Sequence, residues 1–493
     1  MSVDSEWTSL LAWLAKFDTS ANVEQHVQLV HNAAGRGLVA RHDLSPSTLL
    51  ISIPNQALLN LYTLHPLYPP AFTDGRLNAT QLISLHLAIS FRQHLRSAPS
   101  STPPSTASRD KYWPFLATLP RSFPSHPLTW QIKSQSNAQL TDTYSLDEGD
   151  NPSLSPTDRD EPGPRERARY RKLLDSLGTG VRARVDEVEG RFRKDWQRVR
   201  DFWRETKLED EDEFGFFDFL LGWLNVNTRC IYFDLPSTSD SPSHWSKKEN
   251  SLTLAPVIDM INHAPSLATK PHPTPSALTF SAPSRSSPDR KVSKGDELAF
   301  SYGGHDDAFL LSEYGFIIGN ADADGSGGNE YNSLSIDKYI DALFDSQGAE
   351  GETKIEILKE TDYWGDMTLQ SHPPSPSWRV LTALRLYHLR LPSNSSLSAD
   401  SLAPFYDLLA GSIEQISHLN EKKVQATVKA IAKSLVVECQ EGVARCTALE
   451  AEWSKESGKG EKALVDETLQ WLGMVKQIWE GDERIAKAVA EGS

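Results

Sequence analysis

Four separated segments carry side chains whose types and spacing could do chemistry together. Gly35-Arg36-Gly37 reads as a tight turn, in which glycine permits positive φ and lets another molecule approach the backbone. Asp259-Met260-Ile261-Asn262-His263 closes an apolar run that begins at Leu252. An asparagine amide beside an imidazole offers several donors and acceptors with which to orient a polar ligand. Tyr302, in Ser301-Tyr302-Gly303, supplies a phenol that can hydrogen-bond an incoming amine and stabilise charge near it. Tyr314-Gly315-Phe316 adds two rings, which can hold an alkylammonium by cation–π attraction of about 0.5–2 kcal/mol. Arg229 ends the apolar stretch Trp223-Leu224-Asn225-Val226-Asn227-Thr228, where a cation must be paired or must bind an anion such as a carboxylate.

Each segment in isolation also has a structural reading: a turn, a capped strand end with a satisfied histidine, a packed aromatic, a salt bridge. Other chemistries are excluded more firmly. No third glycine follows Gly37 and no helix opens there, so the segment is not a dinucleotide fingerprint. Cys230, Cys439 and Cys446 form no CxxC pair and cannot build a four-cysteine zinc site, and His263 has no second ligand at metal spacing; no metal is expected. Asn320-x-Asp322-x-Asp324-Gly325 starts like a calcium loop, but its twelfth position is Tyr331, which reads as a linker.

Positioning these groups requires strands first and helices around them. Over 24–60, short apolar runs bounded by Gly and Pro predict a small sheet: 27–30, then 38–40 after the glycine turn, then 49–53 closed by Pro54. The spacing of Trp7, Leu10, Leu11 and Leu14 predicts an amphipathic first helix rather than a signal peptide. A helix is expected over 77–96, a long arginine-rich helix over 165–207 with Trp196, Val199 and Trp203 on its apolar stripe, and an apolar helix over 214–232. Residues 97–108, 145–165, 236–243 and 271–290 read as polar or Ser/Pro-rich loops, and 319–329 as a boundary loop. Residues 297–300 read as a strand leading to Tyr302, followed by a helix-like FLLSEYGF. Beyond about 335, Val424, Val428, Ile431 and Leu435 share one helical face, and 464–489 is spaced alike. The expected fold class is α+β, with a β-rich domain over 1–335 carrying a helical insertion at about 75–250. An all-helical domain over 336–493 follows.

The chain has 493 residues, with 50 Lys plus Arg against 66 Asp plus Glu, a formal net charge of −16. That balance argues against coating nucleic acid and suits a basic protein partner. No run approaches 18 apolar residues, so no membrane span is expected, and the triplets at Asn78 and Asn394 carry little meaning without a secretory signal. Sparse, odd cysteines fit a reducing compartment, cytosol or nucleus.

Taken in order, GRGLVA, WLNVNTR, PVIDMINH and ELAFSYG with FLLSEYGF resemble the SET-domain protein methyltransferases. More narrowly, they resemble the branch typified by the Rubisco large-subunit methyltransferase. The resemblance covers nearly the whole chain. It implies a β-rich SET domain with a helical insertion, followed by a helical substrate-binding domain. It implies S-adenosylmethionine contacts from the backbone at Gly35, Arg36 and Gly37. Contacts to the adenine and methionyl ends would come from Asp259, Met260, Ile261, Asn262 and His263, through main-chain groups and the Asn262 amide. Arg229 would touch the cofactor or brace its pocket. Tyr302 matches the catalytic tyrosine, and Tyr314 and Phe316 match the aromatic segment bordering the cofactor and the lysine channel.

The implied activity is S-adenosylmethionine-dependent methylation of a protein lysine. The expected substrate is a basic non-histone protein, with ribosomal or translation proteins foremost, acted on by a monomer. Histidine methylation on the same fold and a catalytically weak binding scaffold are the alternatives. Asp307 stands where many relatives carry Asn, and a carboxylate that cannot donate predicts an altered local contact.

Overall fold

The computed structural model describes residues 3–17, 23–32, 35–96, 109–146, 162–206, 214–234, 250–320, 328–390, 399–455 and 462–492. The tracts expected as loops at 97–108 and 236–243 and Asn394 lie outside these residues, as do most of 145–165 and 319–329. The chain forms two compact units. One comprises Met1–Arg171, Val185–Gly304 and Ser312–Gly315; the other comprises Lys172–Arg184, His305–Leu311 and Phe316–Ser493.

The first unit is organised around a four-stranded sheet in the order β1 (Val27–Asn32), β2 (Gly35–Ala40), β9 (Glu297–Phe300), β6 (Asn262–His263). β1 and β2 are antiparallel, with Val27 opposite Ala40 and Asn32 opposite Gly35. Gly35-Arg36-Gly37 is therefore the start of a strand and not the expected turn. Gly35 does adopt φ of 115°, where a side chain would be strained. β2 pairs antiparallel with β9, placing Leu38 opposite Leu298 on the buried face and Val39 opposite Glu297 on the other. β6 is two residues long and pairs in parallel with β9, Asn262 opposite Ala299 and His263 opposite Phe300. That register sets His263 two positions from the level of Tyr302.

A second sheet runs β3 (Leu49–Pro54), β8 (Ala277–Ser281), β7 (His272–Pro273), and a two-stranded pair joins β4 (Ile231–Tyr232) to β5 (Leu252–Thr253). The 271–290 segment, read as loop, thus contains a hairpin. The stretch expected to be strand-rich from 24 opens instead with a helical turn, Val23–His26, before β1. Leu50, Ile51 and Ile53 are fully buried.

Helices Ala79–Arg96 and Phe216–Arg229 pack closely because Gly222 has no side chain; a Cβ there would lie 3.2 Å from Leu87 Cβ and closer to the Ser84 carbonyl. Arg92 donates to Asp218 at 2.6 Å across this contact, and Asp218 also accepts from Gly215 N–H at 2.8 Å, capping the second helix. The apolar helix ends at Arg229 rather than running to 232, since Cys230 turns extended and β4 follows.

The arginine-rich segment is two helices, Pro164–Ser176 and Thr179–Thr206, broken at Gly178, where a Cβ would lie 3.2 Å from the Trp479 ring. Val185, Val188, Phe192, Trp196, Val199 and Phe202 form the buried stripe of the longer one, whereas Trp203 is only partly buried.

The second unit is dominated by helices His418–Ser454 and Lys462–Glu491. Val424, Val428, Ile431 and Leu435 are buried as their spacing predicts, and Gly442 leaves room for the Trp479 ring, whose indole N–H donates to the Ser176 carbonyl at 2.8 Å. A three-stranded antiparallel sheet, β10 (Ser333–Ser335), β11 (Thr368–Ser371) and β12 (Pro374–Pro376), accompanies the helices, so the C-terminal region is helical without being purely so.

Candidate active site

Tyr302 follows β9 directly, and its position is held at both ends. Its backbone N–H donates to His263 Nδ1 at 3.0 Å, and its hydroxyl donates to the Ile261 carbonyl at 2.7 Å. The ring lies 4.9 Å from His263, 5.2 Å from Phe300 and 5.5 Å from Tyr314, centre to centre. Burial drives the Tyr302 pKa upward, with Arg229 opposing and Tyr314, Asp259 and Glu297 reinforcing the rise. The phenol is consequently protonated at any physiological pH. With its proton committed to Ile261, the oxygen presents lone pairs, which can accept an amine N–H.

Beside it, Arg229 leaves the end of the Phe216–Arg229 helix and donates to the Asp259 carbonyl at 2.7 Å and to its carboxylate at 3.4 Å. The Asp259 side chain is entirely buried. Burial pushes its carboxyl pKa up, and Arg229 and then Arg36 hold it down. Arg36 donates to the Thr118 carbonyl at 2.5 Å, and its own pKa is lowered first by burial and then by Arg229. The salt-bridge and pocket-bracing readings of Arg229 are thus one arrangement: the pair ties the helix end to the 3-10 turn Ile258–Met260.

Asn262 crosses the sheet. Its Nδ2 donates to the Arg36 carbonyl at 3.1 Å and to Glu297 Oε1 at 2.6 Å. The glycine at 37 is explained by these side chains: a Cβ there would come within 3.0 Å of Asn262 Nδ2.

Tyr314 is fixed through the residue before it. The Glu313 carbonyl accepts from His126 Nε2 at 3.1 Å and from Asn227 Nδ2 at 2.9 Å, while its carboxylate pairs with Arg191 at 2.5 Å. His126 Nδ1 in turn accepts from Leu128 N–H at 3.1 Å, so the ring proton sits on Nε2. Gly315 takes φ of 79°, and a Cβ there would lie 3.1 Å from His126 Cα. Burial raises the Tyr314 pKa to about 12.

Gly35, Arg36, Gly37, Arg229, Asp259, Ile261, Asn262, His263, Tyr302 and Tyr314 all belong to the first unit, whereas Phe316 belongs to the second. Met260 is a core side chain, 3% exposed. The backbone N–H groups of Asp259, Met260 and Ile261 bond to the carbonyls of Ala255, Val257 and Ile258 inside the turn, so main-chain donation to a ligand from these three is spent. Ile261 acts instead through its carbonyl. Sequence reading missed Glu297, His126, Asn227 and Thr118. Glu297 had a signal, since it precedes the predicted strand's Leu298 on the face that carries Val39; the other three act through backbone or at long separation and had none.

Among the described residues, no cluster of three or more His, Cys, Asp or Glu could hold a metal ion. Two polar atoms here are buried without a protein partner, Arg229 Nε and Asp259 Oδ1. Each is a polar group that a bound polar ligand could satisfy.

No protein-family model matches the chain. Among individual proteins, it is 26% identical over 436 residues to ribosomal lysine N-methyltransferase 2 of Saccharomyces cerevisiae, spanning 77% of this chain and 82% of that one. It is 25% identical to ribosomal lysine N-methyltransferase set11 of Schizosaccharomyces pombe, over 71% of this chain and 67% of that one. It is 23% identical to human SET domain-containing protein 4, over 99% and 91%. The crystal structure of the SET domain of LSMT bound to lysine and AdoHcy has the same fold, with a TM-score of 0.53, 13% identity, and coverage of 100% of this chain and 91% of that one. Fold and motifs together define a SET-domain protein. More narrowly, the chain is similar to the ribosomal lysine N-methyltransferases of the two yeasts and shares the fold of the LSMT SET domain.

Proposed function

We propose that this protein transfers the methyl group of S-adenosylmethionine to a lysine side chain of a ribosomal protein. The observation that carries the reading is Tyr302: a buried phenol with its proton fixed on the Ile261 carbonyl and Tyr314 beside it, set in a SET fold. When bound, S-adenosylmethionine supplies an electrophilic methyl on a positively charged sulfur. Arg36, Gly37, Arg229, Asn262 and His263 are the residues that would hold it. Tyr302 and Tyr314 form aromatic surroundings that align an alkylamine and, being apolar, favour its neutral, nucleophilic form. The Tyr302 oxygen accepts an N–H of that amine and so orients it. A phenol with so high a pKa does not take the departing proton, which passes to water.

The choice of substrate rests on the two fungal relatives named for ribosomal lysine methylation and on the net charge of −16, which steers basic proteins toward this chain. The helical region after about 336 is the part we assign to substrate docking. The protein would act as a single chain in cytosol or nucleus, where ribosomal proteins are made and assembled.

The test is incubation of the full chain and its Tyr302→Phe variant with methyl-labelled cofactor and a ribosomal protein extract. Label transferred by the unaltered chain, lost in the variant and mapped to lysine by mass spectrometry supports the reading. Label on histidine moves the target to histidine, and cofactor binding with no transfer leaves a scaffold.

A further inference from the structure

Asn262 Nδ2 faces two groups that can only accept: the Arg36 carbonyl at 3.1 Å and the Glu297 carboxylate at 2.6 Å. The orientation of the amide is therefore settled by chemistry. Both N–H bonds are spent, and the carbonyl oxygen Oδ1 is what this side chain can offer a ligand.

The sheet register explains how Glu297 comes to do this. Glu297 is opposite Val39, so Gly37, two residues along, is its diagonal neighbour on the same face. Asn262 is opposite Ala299 in the parallel pair, two residues from Glu297 and again on that face. Three strands thus bring residues 37, 262 and 297 together. A Cβ at Gly37 would lie 3.0 Å from Asn262 Nδ2 and nearer still to Glu297 Oε1, so the glycine leaves room for the pair. A carboxylate and an amide carbonyl on one face favour a cation, and the amino-acid end of S-adenosylmethionine carries an ammonium.

We infer that Glu297 is a positioning residue for cofactor binding, locking the Asn262 amide so that Oδ1 receives the ammonium. The inference rests on the cofactor reading above. Glu297 is exposed, so replacing it leaves the core intact.

The test is calorimetric titration of the full chain with S-adenosylhomocysteine and with its α-deaminated analogue, which lacks the ammonium. The unaltered chain should prefer the former by about tenfold or more. Glu297→Ala should bring that preference to within about threefold by weakening S-adenosylhomocysteine alone. Glu297→Gln, whose amide oxygen can still accept from Nδ2, should keep most of it. Gly37→Ala, which displaces the Glu297 carboxyl, should behave as Glu297→Ala does. Equal weakening of both ligands in Glu297→Ala, or no weakening, overturns the role, as does a Gln variant indistinguishable from Ala. An unaltered chain that binds neither ligand removes the cofactor reading itself, and the positioning role with it.

Discussion

The hydroxyl of Tyr302 donates to the main-chain carbonyl of Ile261 at 2.7 Å, across 41 residues of sequence. This one bond joins the strand that ends at Phe300 to the turn that precedes Asn262. It also determines what the phenol can do, since an oxygen that has given away its proton is an acceptor for an amine.

Tyr302→Phe removes that oxygen and nothing else. Methyl transfer should fall by about 10²–10³-fold, the usual size for a lost polar group aimed at the reacting centre. The affinity for S-adenosylhomocysteine should stay within about threefold. Single-turnover transfer and calorimetry, run on the same preparation, separate the two effects; an equal loss in both would make the tyrosine a packing residue.

Arg229 and Asp259 make a buried pair, with side chains 22% and 0% exposed. Arg229→Met leaves a carboxylate in the interior with Arg36 as its remaining cationic neighbour, a change that costs about 3–5 kcal/mol when a buried pair is broken. Urea unfolding should show a lowered midpoint. Adding Asp259→Asn in the Met background should recover part of the loss, because the uncompensated charge is then gone.

His126 is held neutral by burial, with its pKa lowered to about 4, although the Glu313 carbonyl and carboxylate favour the charged form. The unfolded chain takes up this proton near pH 6.5 and the native state does not until about pH 4. The stabilisation is complete above pH 6.5, declines as pH falls toward 4, and amounts to about 3 kcal/mol in all. Unfolding curves between pH 7 and 4 should show this decline, and His126→Asn, which keeps a cap acceptor without titrating, should flatten it.

The carboxylate of Asp307 accepts from the backbone N–H groups of Ile318 (2.9 Å) and Gly319 (3.2 Å) and from the amides of Asn329 and Asn332, both at 3.0 Å. Every partner is a donor and the site is buried. Asp307→Asn would turn an N–H₂ toward donors here and should cost about 2–4 kcal/mol, read as a lower thermal midpoint. In this chain the Asp307 carboxylate is the anchor of that loop.

Much of this protein was legible in its linear pattern. Helical spacing located the buried faces at Val424, Val428, Ile431 and Leu435, and short apolar runs located Leu50–Ile53 and Glu297–Phe300, because burial imposes a period that residue types record. The types at Asn262, His263, Tyr302 and Tyr314 announced a polar and aromatic site. What only the tertiary structure decided is how those groups are oriented. Gly37 looked like a turn and is a strand residue kept bare for the Asn262–Glu297 bond. Met260 sat within the motif and faces the core, while Ile261 matters through its carbonyl, which any residue could supply. His126 and Asn227 reach Glu313 from 187 and 86 residues away. Periodicity reports which face of an element is dry. The partner of a backbone carbonyl, or the pairing of a two-residue parallel strand, depends on contacts between distant segments, and local residue types leave no record of those.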